Sequence, residues 1–263
     1  DELLAGYPTF QALKFVRYYN ILPAEVRAAI NWLAGMLPVS LANISFDFKV
    51  KQLLRGAGVS EEVMFFLWLG SFTEAEKARL LSPALRVEIL KENAFEDLFD
   101  YIKESNLKNE MERALYLSAK LYLQDDILVK VDRASMANSL EVRAPFLDHT
   151  LVEFISRLPT FFKLHRLTTK YVLKKAVAGL VPPRIIRRSK KGFGMPVGRW
   201  INGAMSGLFD DALSEESIRR EGIFDPRYVR GLLDEHRAGR KDNRKLLWTL
   251  FVFQLWKRNW LKA

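Results

Sequence analysis

Cysteine is absent from this chain of 263 residues. Its absence excludes a disulfide scaffold, a thiolate metal site and a cysteine nucleophile. Histidine is scarce, and His149, His165 and His236 form neither an i, i+4 pair nor an H-E-x-x-H motif, which argues against a zinc site. The sequence also lacks G-x-S-x-G, G-x-x-x-x-G-K-[ST] and G-x-G-x-x-G, so a hydrolase elbow, a Walker phosphate loop and a dinucleotide fingerprint are unsupported.

Long apolar stretches are missing as well. The uncharged run 28–46 is interrupted by polar residues, glycine and proline, and the apolar run 246–256 lies between Lys245 and Lys257. A membrane-spanning helix needs about 20 mostly apolar residues. The chain opens with the acidic sequence DELL, whereas a secretory signal opens with basic residues. We therefore expect a cytoplasmic protein without a membrane partner.

Positive charge is in excess, and it is concentrated in two stretches. The net charge is +10, from 41 Lys and Arg against 31 Asp and Glu. Residues 184–199 hold six basic residues and no acidic one, and residues 226–263 hold ten basic and three acidic residues. A regional positive field indicates an anionic ligand such as phosphate, nucleic acid or a membrane surface.

Helix signals dominate the chain. Pro23, Ser60, Thr73 and Pro226 stand at predicted helix starts, and Thr73 begins a capping box with Glu76. Helical spacing predicts further helices over 108–124, 169–180 and 243–261. Strand signals are few, so the fold class is mainly α, with loops expected at 38–45, 132–148 and 184–199.

Two of these loops carry residues that packing alone does not explain. In 132–148, charged and small residues alternate, and Glu141 and Arg143 fall on one side if the backbone is extended. A buried ion-pair network that holds the loop between helices is the structural alternative. In 187–196, RRSKKGFGMP combines clustered cations with glycines that permit close approach to a phosphate, the alternative being a solvated basic loop.

Three stretches together resemble the glutamine-dependent asparagine synthetase family. The opening DELLAGYP resembles the end of that family's S-G-E-G-x-D-E-L-F-x-G-Y loop. Residues 123–148 resemble its D-R-x-S-M-A-x-S-x-E-x-R-x-P-F-L-D block, and residues 170–200 its K-Y-x-L-K-x-A…P-x-x-I-x-x-R-x-K-x-G-F-x-x-P pattern. The order and the rough spacing agree, and the resemblance covers essentially the whole chain.

The resemblance implies the helical C-terminal part of an α/β domain of the ATP-pyrophosphatase type, which is adenine-nucleotide α-hydrolase-like and has its parallel sheet mostly upstream. Residues 1–263 would form one portion of this synthetase domain. It also implies ATP and Mg²⁺ as cofactors. In such enzymes the side-chain carboxylate of aspartate attacks the α-phosphate of ATP, β-aspartyl-adenylate forms and pyrophosphate leaves. Ammonia, released from glutamine by a separate N-terminal domain, then displaces AMP.

The same resemblance implies roles for individual residues. Lys190 matches the loop lysine that contacts phosphate oxygens, so it is the expected catalytic residue. Asp1 matches an aspartate associated with pyrophosphate and with Mg²⁺, and no metal site is expected from the protein alone. Lys191 and Lys130 are weaker candidates near the pyrophosphate. The residues assigned mainly to ordering the site are Asp132, Arg133, Glu141, Arg143 and Asp148.

Several parts of the family pattern do not occur in this sequence. The pyrophosphate loop S-G-G-x-D-S, the S-G-E-G stretch before Asp1 and the glutaminase domain with its cysteine are not found in it. We therefore expect a fragment that binds ATP poorly and is inactive by itself. The expected partners are small molecules, the glutaminase domain and the upstream sheet, with a homo-oligomer left open.

Two functional alternatives and one structural alternative stand beside this interpretation. A related amidotransferase would use another acceptor carboxylate, because most substrate-reading residues lie upstream. A basic helical module that binds nucleic acid would account for the net charge, but not for the glycine, phenylalanine and proline mixed into 184–199. An assembly piece with exposed apolar helix faces would self-associate.

Overall fold

The computed structural model describes residues 1–42, 45–55, 60–70, 72–190, 192 and 194–261. Most of these residues are helical. The α-helices, labelled α1 to α18 in chain order, are Pro8–Ile21, Ala24–Gly35, Phe46–Leu54, Glu61–Leu69, Glu74–Leu80, Pro83–Ile89, Glu96–Ser105, Glu110–Leu117, Val129–Met136, His149–Arg157, Thr160–Lys163, Tyr171–Ala176, Pro183–Ile186, Val197–Asn202, Ser206–Ala212, Glu215–Glu221, Pro226–Arg237 and Arg244–Trp260. Along the described ranges, no helix is both long and apolar enough to cross a membrane.

Other regular structure is limited. A π-helix, Ser118–Leu128, joins α8 to α9, and a 3₁₀ turn, Pro145–Leu147, precedes α10. Strands β1 (Leu164–His165) and β2 (Thr168–Thr169) form an antiparallel hairpin in which Leu164 is opposite Thr169. The prediction of a mainly α chain is confirmed for the part of the chain that the structure describes.

Several helix ends lie where capping chemistry predicts them. The hydroxyl of Thr73 accepts from the N–H of Glu76, and the Glu76 side chain accepts from the N–H of Thr73, which is a complete capping box. Pro226 occupies the first turn of α17 behind the capping carboxylate of Asp225. Gly239, with a φ of 64°, follows the end of that helix.

The loop predicted over 132–148 is wrong in its first third. Helix α9 continues the π-helix as far as Met136, since no proline or glycine interrupts the chain between Glu110 and Ala144. The helix ends where Ser139 adopts a φ of 56° and the N–H of Leu140 bonds to the carbonyl of Ser135 at 3.0 Å.

The loop predicted over 184–199 is also too long. Helices α13 and α14 take up both ends of it, and Pro183 and Pro196 stand at their starts. Proline favours these positions because its fixed φ suits the first turn and its missing N–H has no helical partner there. The loop predicted over 38–45 includes Asn43 and Ile44, which lie outside the described residues; Ser40 is non-helical and Ser45 caps α3.

The chain divides into two compact units. The first unit contains 1–21, 60–65 and 94–191, and the second contains 22–59, 66–93 and 192–263. In the first unit, buried residues of α1 pack on Phe65, whose ring centre is 5.2 Å from that of Phe10. The expectation that residues 1–263 form one portion of a synthetase domain stays a prediction.

The second unit has a larger apolar core. Helices α14 to α18 contribute its buried side chains, among them Ile201, Ile218 and Leu247. Phe209 and Phe251 stack with ring centres 4.4 Å apart. The apolar run 246–256, which is too short to span a membrane and has the length of a core helix, contributes buried side chains to this core.

Candidate functional site

One carboxylate in the first unit holds two lysine side chains. Asp1 Oδ1 lies 2.6 Å from Lys170 Nζ, and Asp1 Oδ2 lies 2.6 Å from Lys190 Nζ. All three side chains are partly buried, with exposed fractions of 16% for Asp1, 31% for Lys170 and 30% for Lys190. We call these three residues the Asp1 cluster.

The backbone around Asp1 positions the cluster. The N–H of Gly6 donates to the carbonyl of Asp1 at 2.7 Å, which closes residues 1–6 into a turn containing Ala5 at a φ of 51°. The N–H of Lys170 donates to the carbonyl of Leu4 at 3.1 Å, so the start of α12 is tied to this turn. A side chain at Gly6 would overlap the Asp1 carboxylate and the Lys170 side chain. Glycine is therefore required at this position by close approach.

Buried Glu2 and partly buried Tyr7 support Lys190 from another side. The hydroxyl of Tyr7 donates to the carboxylate of Glu2 at 2.6 Å. Lys190 Nζ lies 5.6 Å from the centre of the Tyr7 ring, within the range of a cation–π interaction. Tyr122 meets the same ring edge-on at 6.0 Å between ring centres. The Lys190 ammonium is thus held between a carboxylate and an aromatic face.

Burial and neighbouring charge shift the ionisation of this cluster. Burial, followed by the nearby Lys190 ammonium, lowers the pKa of Lys170 below its ordinary value of 10.5. Burial and the hydrogen-bonded carboxylate of Glu2 raise the pKa of Tyr7, so its hydroxyl stays protonated and remains a donor. Two like charges at one carboxylate leave the group with a local excess of positive charge, and a bound anion would relieve that excess.

The block 132–148 is exposed in this structure. Asp132 and Arg133 lie on the exposed surface of α9, and Glu141 and Arg143 form an ion pair with each other at exposed fractions of 66% and 88%. The expected placement of Glu141 and Arg143 on one side is therefore confirmed, and the alternative of a buried ion-pair network is wrong. The two residues are bridged by a short extended segment, which needs no burial to bring them together.

The remaining members of the block have local partners. Asp148 accepts hydrogen bonds from the N–H groups of Thr150 and Leu151 and so caps α10, as its position before that helix predicts. A hydrogen bond from the Thr150 side chain contributes most to lowering the pKa of Asp148, and the two N–H bonds lower it further. Lys130 lies 3.7 Å from Asp126 one helical turn away. The polar contacts that the structure gives this block are all close in sequence, and the role of the block in ordering a site stays a prediction.

Lys191 lies outside the described residues. Three residues of the arrangement, Lys170, Glu2 and Tyr7, were not selected by sequence reasoning. Glu2 and Tyr7 stand in the opening DELLAGYP and Lys170 opens the stretch 170–200, so all three fall within motifs that were recognised. From sequence alone, Lys170 resembles a surface lysine before a short helix, and only the tertiary structure places it beside Asp1.

The donors at the Asp1 cluster fit one kind of metal site only. Within the described ranges, no three side chains of His, Asp or Glu are grouped to hold a metal ion. Asp1 offers a single hard carboxylate beside two ammonium groups. Mg²⁺ is commonly bound by one or two carboxylates together with phosphate oxygens of a substrate. The residues present therefore fit Mg²⁺ that arrives with a polyphosphate, rather than Mg²⁺ held by the protein alone.

Comparison with known proteins gives a consistent family. The family model described as Asparagine synthase matches residues 1–258. The chain is 31% identical over 257 residues to a "Putative asparagine synthetase [glutamine-hydrolyzing]" of Mycobacterium tuberculosis strain H37Rv, covering 97% of this chain and 37% of that protein. It is 27% identical over 261 residues to "Asparagine synthetase [glutamine-hydrolyzing] 1" of Bacillus subtilis, covering 97% of this chain and 38% of that protein.

Relatives with other names also match part of the chain. "Amidase chyE" of Penicillium rubens is 32% identical over 119 residues, covering 43% of this chain and 18% of the amidase. No solved structure matches the chain. The chain spans less than two fifths of the length of the two asparagine synthetases described above.

Proposed function

The chain belongs to the asparagine synthase family, and on that premise we propose that it contributes to the ATP-dependent amidation of aspartate. The side-chain carboxylate of aspartate attacks the α-phosphorus of ATP, which forms β-aspartyl-adenylate and expels pyrophosphate. Ammonia then attacks the acyl carbon, so a carbon–nitrogen bond forms, AMP leaves and asparagine results. The enzyme class is a carbon–nitrogen ligase with glutamine as the amide donor.

The observation that carries the proposal is the Asp1 cluster. Two ammonium groups, from Lys170 and Lys190, meet at one carboxylate. Expulsion of pyrophosphate builds negative charge on the departing oxygens, and cations that are already in place stabilise that charge with little reorganisation. Lys190 is the proposed catalytic residue, because its ammonium would contact the phosphate oxygens directly.

The other residues of the cluster would position this charge. Asp1 would hold Mg²⁺ together with the phosphates, and Mg²⁺, when bound, supplies further positive charge that neutralises phosphate oxygens. Lys170, whose backbone is tied to Leu4, would keep a second ammonium beside the first. Lys191 is a further candidate for the pyrophosphate, and the exposed block 132–148 would order the site.

The proposed partners follow from the family. Two of the relatives are named glutamine-hydrolysing synthetases, and we propose that this chain likewise uses ammonia released from glutamine in another domain. Aspartate and ATP are the proposed small-molecule substrates, and the proposed location is the cytoplasm.

The relative named "Amidase chyE" favours a second candidate, an amidotransferase with another acceptor carboxylate. This candidate keeps the adenylation chemistry and changes only the acid that is activated. The Asp1 cluster would serve both reactions, because it acts on the phosphates and not on the acid.

One assay tests both candidates. The intact protein is incubated with ATP, Mg²⁺, ammonium and a panel of carboxylic acids, and pyrophosphate, AMP and the amide product are measured. Pyrophosphate, AMP and asparagine in equal amounts with aspartate support the first candidate. The same products with another acid support the second, and no pyrophosphate release with any acid contradicts both.

A further inference from the structure

A cavity of about 480 Å³ opens in the second unit, among residues that the proposed reaction does not use. Helices α2 and α3, Glu76 of α5, the loop 240–243 and the start of α18 line it. Its volume lies within the range of small-molecule sites, which is about 300–1,000 Å³. The cavity contains part of the basic stretch 226–263, for which the sequence supplies no ligand.

The charged lining of the cavity is mainly cationic. Five basic side chains face it, and they are Lys51, Arg55, Arg240, Lys241 and Lys245. Three acidic residues also line it, and two of them are bound by arginines: Glu76 pairs with Arg55 and Asp242 with Arg244. The third, Asp47, accepts from the N–H of Ser40 at 3.3 Å and lies near Lys51. Lys241 also pairs with a carboxylate, since its Nζ lies 3.0 Å from Glu235 Oε1, so among the described lining residues the excess positive charge falls on Lys51, Lys245 and Arg240.

Two of these lysines are held by carbonyl groups, which fix an ammonium without cancelling its charge. Lys51 Nζ donates to the carbonyl of Leu37 at 3.0 Å. Lys245 Nζ donates to the carbonyl of Trp68 at 2.6 Å, at the end of α4. An ammonium group has three donors, so both lysines keep donors for a ligand.

Lys245 has the least favourable surroundings for its charge. Burial, followed by the nearby Arg55 guanidinium, lowers the pKa of Lys245 to about 8. The described groups that bind the Lys245 ammonium are the carbonyls of Trp68 and Leu69, which are neutral, and no acidic side chain is among the causes of the shift. An anion placed beside this amine would relieve the cost of burial and the repulsion from Arg55.

The rest of the lining selects for a small organic ion rather than a bare inorganic one. Ala34, Phe48, Leu54 and Leu246 give the cavity an apolar side. Gly35 adds no side chain, and a Cβ there would meet open space. A short carbon chain can lie against this side while its charged ends reach the cations.

We propose that this cavity binds a small organic dianion, with Lys51 and Lys245 on its inner side and Arg240 and Lys241 at its exposed edge. Carboxylate and phosphate oxygens share the chemistry that these cations recognise, so the ligand is a short dicarboxylate or a phosphate monoester. None of the described lining residues belongs to the Asp1 cluster, so the proposal does not rest on the proposed function.

Titration calorimetry on the intact protein tests the site with four probes. Succinate and glycerol 3-phosphate are the dianions, and acetate and glycerol are the monoanionic and neutral controls. We expect one or both dianions to bind at millimolar concentration or below and the controls to bind at least about tenfold more weakly. Binding of succinate alone identifies a dicarboxylate site, and binding of glycerol 3-phosphate alone a phosphate site. Failure of both dianions overturns the proposal.

Substitutions locate the binding. Lys51→Met and Arg240→Gln should each weaken it at least about fivefold, while Arg227→Gln removes an exposed arginine of the same basic stretch outside the cavity and should leave it unchanged. Far-UV circular dichroism checks that each variant is folded. Lys190→Met should also leave binding unchanged, and loss of binding in that variant overturns the proposal by placing the ligand at the Asp1 cluster.

Proton uptake provides a readout that needs no substitution. At about pH 9 Lys245 is largely neutral, so a bound dianion should draw a proton onto it. The charged groups facing it are Arg55, Glu76, Lys51 and the loop 240–242, and arginine and carboxylate side chains keep their charge at this pH. Calorimetry with succinate in buffers of different ionisation enthalpy should show uptake at about pH 9 and little at about pH 6.5. Equal uptake at both pH values overturns the role of Lys245.

Discussion

The Asp1 carboxylate lies 2.6 Å from the Lys190 ammonium, although 189 positions separate the two residues in the chain. The other oxygen of the same carboxylate lies 2.6 Å from Lys170. The charged side chains that the proposed reaction needs are therefore brought together by tertiary structure. Preorganised charge of this kind is the usual basis of electrostatic catalysis.

Substitution of Lys190 tests its proposed contact with the leaving pyrophosphate. Lys190→Met should lower the rate of pyrophosphate release by the intact protein by roughly 100- to 1,000-fold, because one stabilising donor is lost in the transition state. Lys190→Arg should recover part of the rate, since it keeps the charge but changes its shape.

The matched control for this substitution is Lys103→Met. Lys103 is an exposed lysine of the same unit, and it forms an ion pair with Asp100 one helical turn away. This variant should keep the full rate. Equal effects of the Lys190 and Lys103 variants would contradict a catalytic role for Lys190.

Gly6 tests whether the geometry of the cluster matters in addition to its charges. A methyl group at position 6 would overlap the Asp1 carboxylate and the Lys170 side chain, and would lie 2.9 Å from Asp1 Cα. Gly6→Ala should therefore displace Asp1 and lower the rate of pyrophosphate release by roughly 10- to 100-fold, although no charge is removed.

Gly231→Ala is the control for Gly6→Ala. Gly231 lies within α17, and a Cβ there would meet nothing within 4 Å. Alanine should raise stability by up to about 1 kcal/mol through helix propensity and leave activity unchanged. An unchanged rate in Gly6→Ala, with the protein folded, would argue that the cluster tolerates displacement of its carboxylate.

The sequence indicates some residues of the Asp1 cluster but not how they come together. Asp1 and Lys190 can be selected because each matches a family motif, but no spacing rule connects residues so far apart. Lys170 also stands in a family motif, but the motif alone gives it no role at Asp1, because its place there depends on the bond between its N–H and the carbonyl of Leu4. Sequence patterns report local structure, and this bond joins two distant segments.

Helix boundaries are also predictable where local chemistry sets them and unpredictable where it does not. Thr73 and Pro226 mark helix starts that the sequence predicts, since their capping chemistry lies within four residues. The loop predicted over 132–148 fails because the end of α9 depends on the positive φ of Ser139, and serine rarely signals such a turn. Polar composition alone does not separate an exposed helix from a loop.

His236 predicts acid sensitivity in the second unit. Its ring is fully buried, where Nδ1 accepts from the N–H of Asn243 at 3.2 Å and Nε2 donates to the carbonyl of Gly198 at 3.2 Å. Burial lowers the pKa of His236 below its ordinary value of 6.5, despite nearby Asp242, while Arg244 lowers it further. The unfolded chain therefore binds the proton at a higher pH than the folded chain, so stability falls as pH drops below about 6.5.

A non-titrating variant isolates this contribution. Glutamine carries one amide donor group and one acceptor, so His236→Gln can occupy the same two hydrogen bonds without ionising. Urea unfolding at about pH 7.5 and about pH 5 should show a smaller loss of stability in the variant than in the wild type. Parallel losses in the two proteins would assign the acid sensitivity to other groups.

The affinity of this chain for ATP tests whether its cations alone form a tight polyphosphate site. The chain of 263 residues contains no S-G-G-x-D-S, and the two ammonium groups at Asp1 are the proposed contacts of the described residues with the polyphosphate of ATP. Charges near the surface attract phosphates weakly in salt, because the Debye length is about 8 Å at physiological ionic strength. Isothermal titration of the chain by itself with ATP and Mg²⁺ should therefore show no tight binding. Weak binding that remains should decrease in Lys190→Met and decrease further as salt is raised. Submillimolar affinity that is insensitive to salt and to Lys190→Met would contradict the prediction, since it would require a polyphosphate site in this chain that does not use the Asp1 cluster.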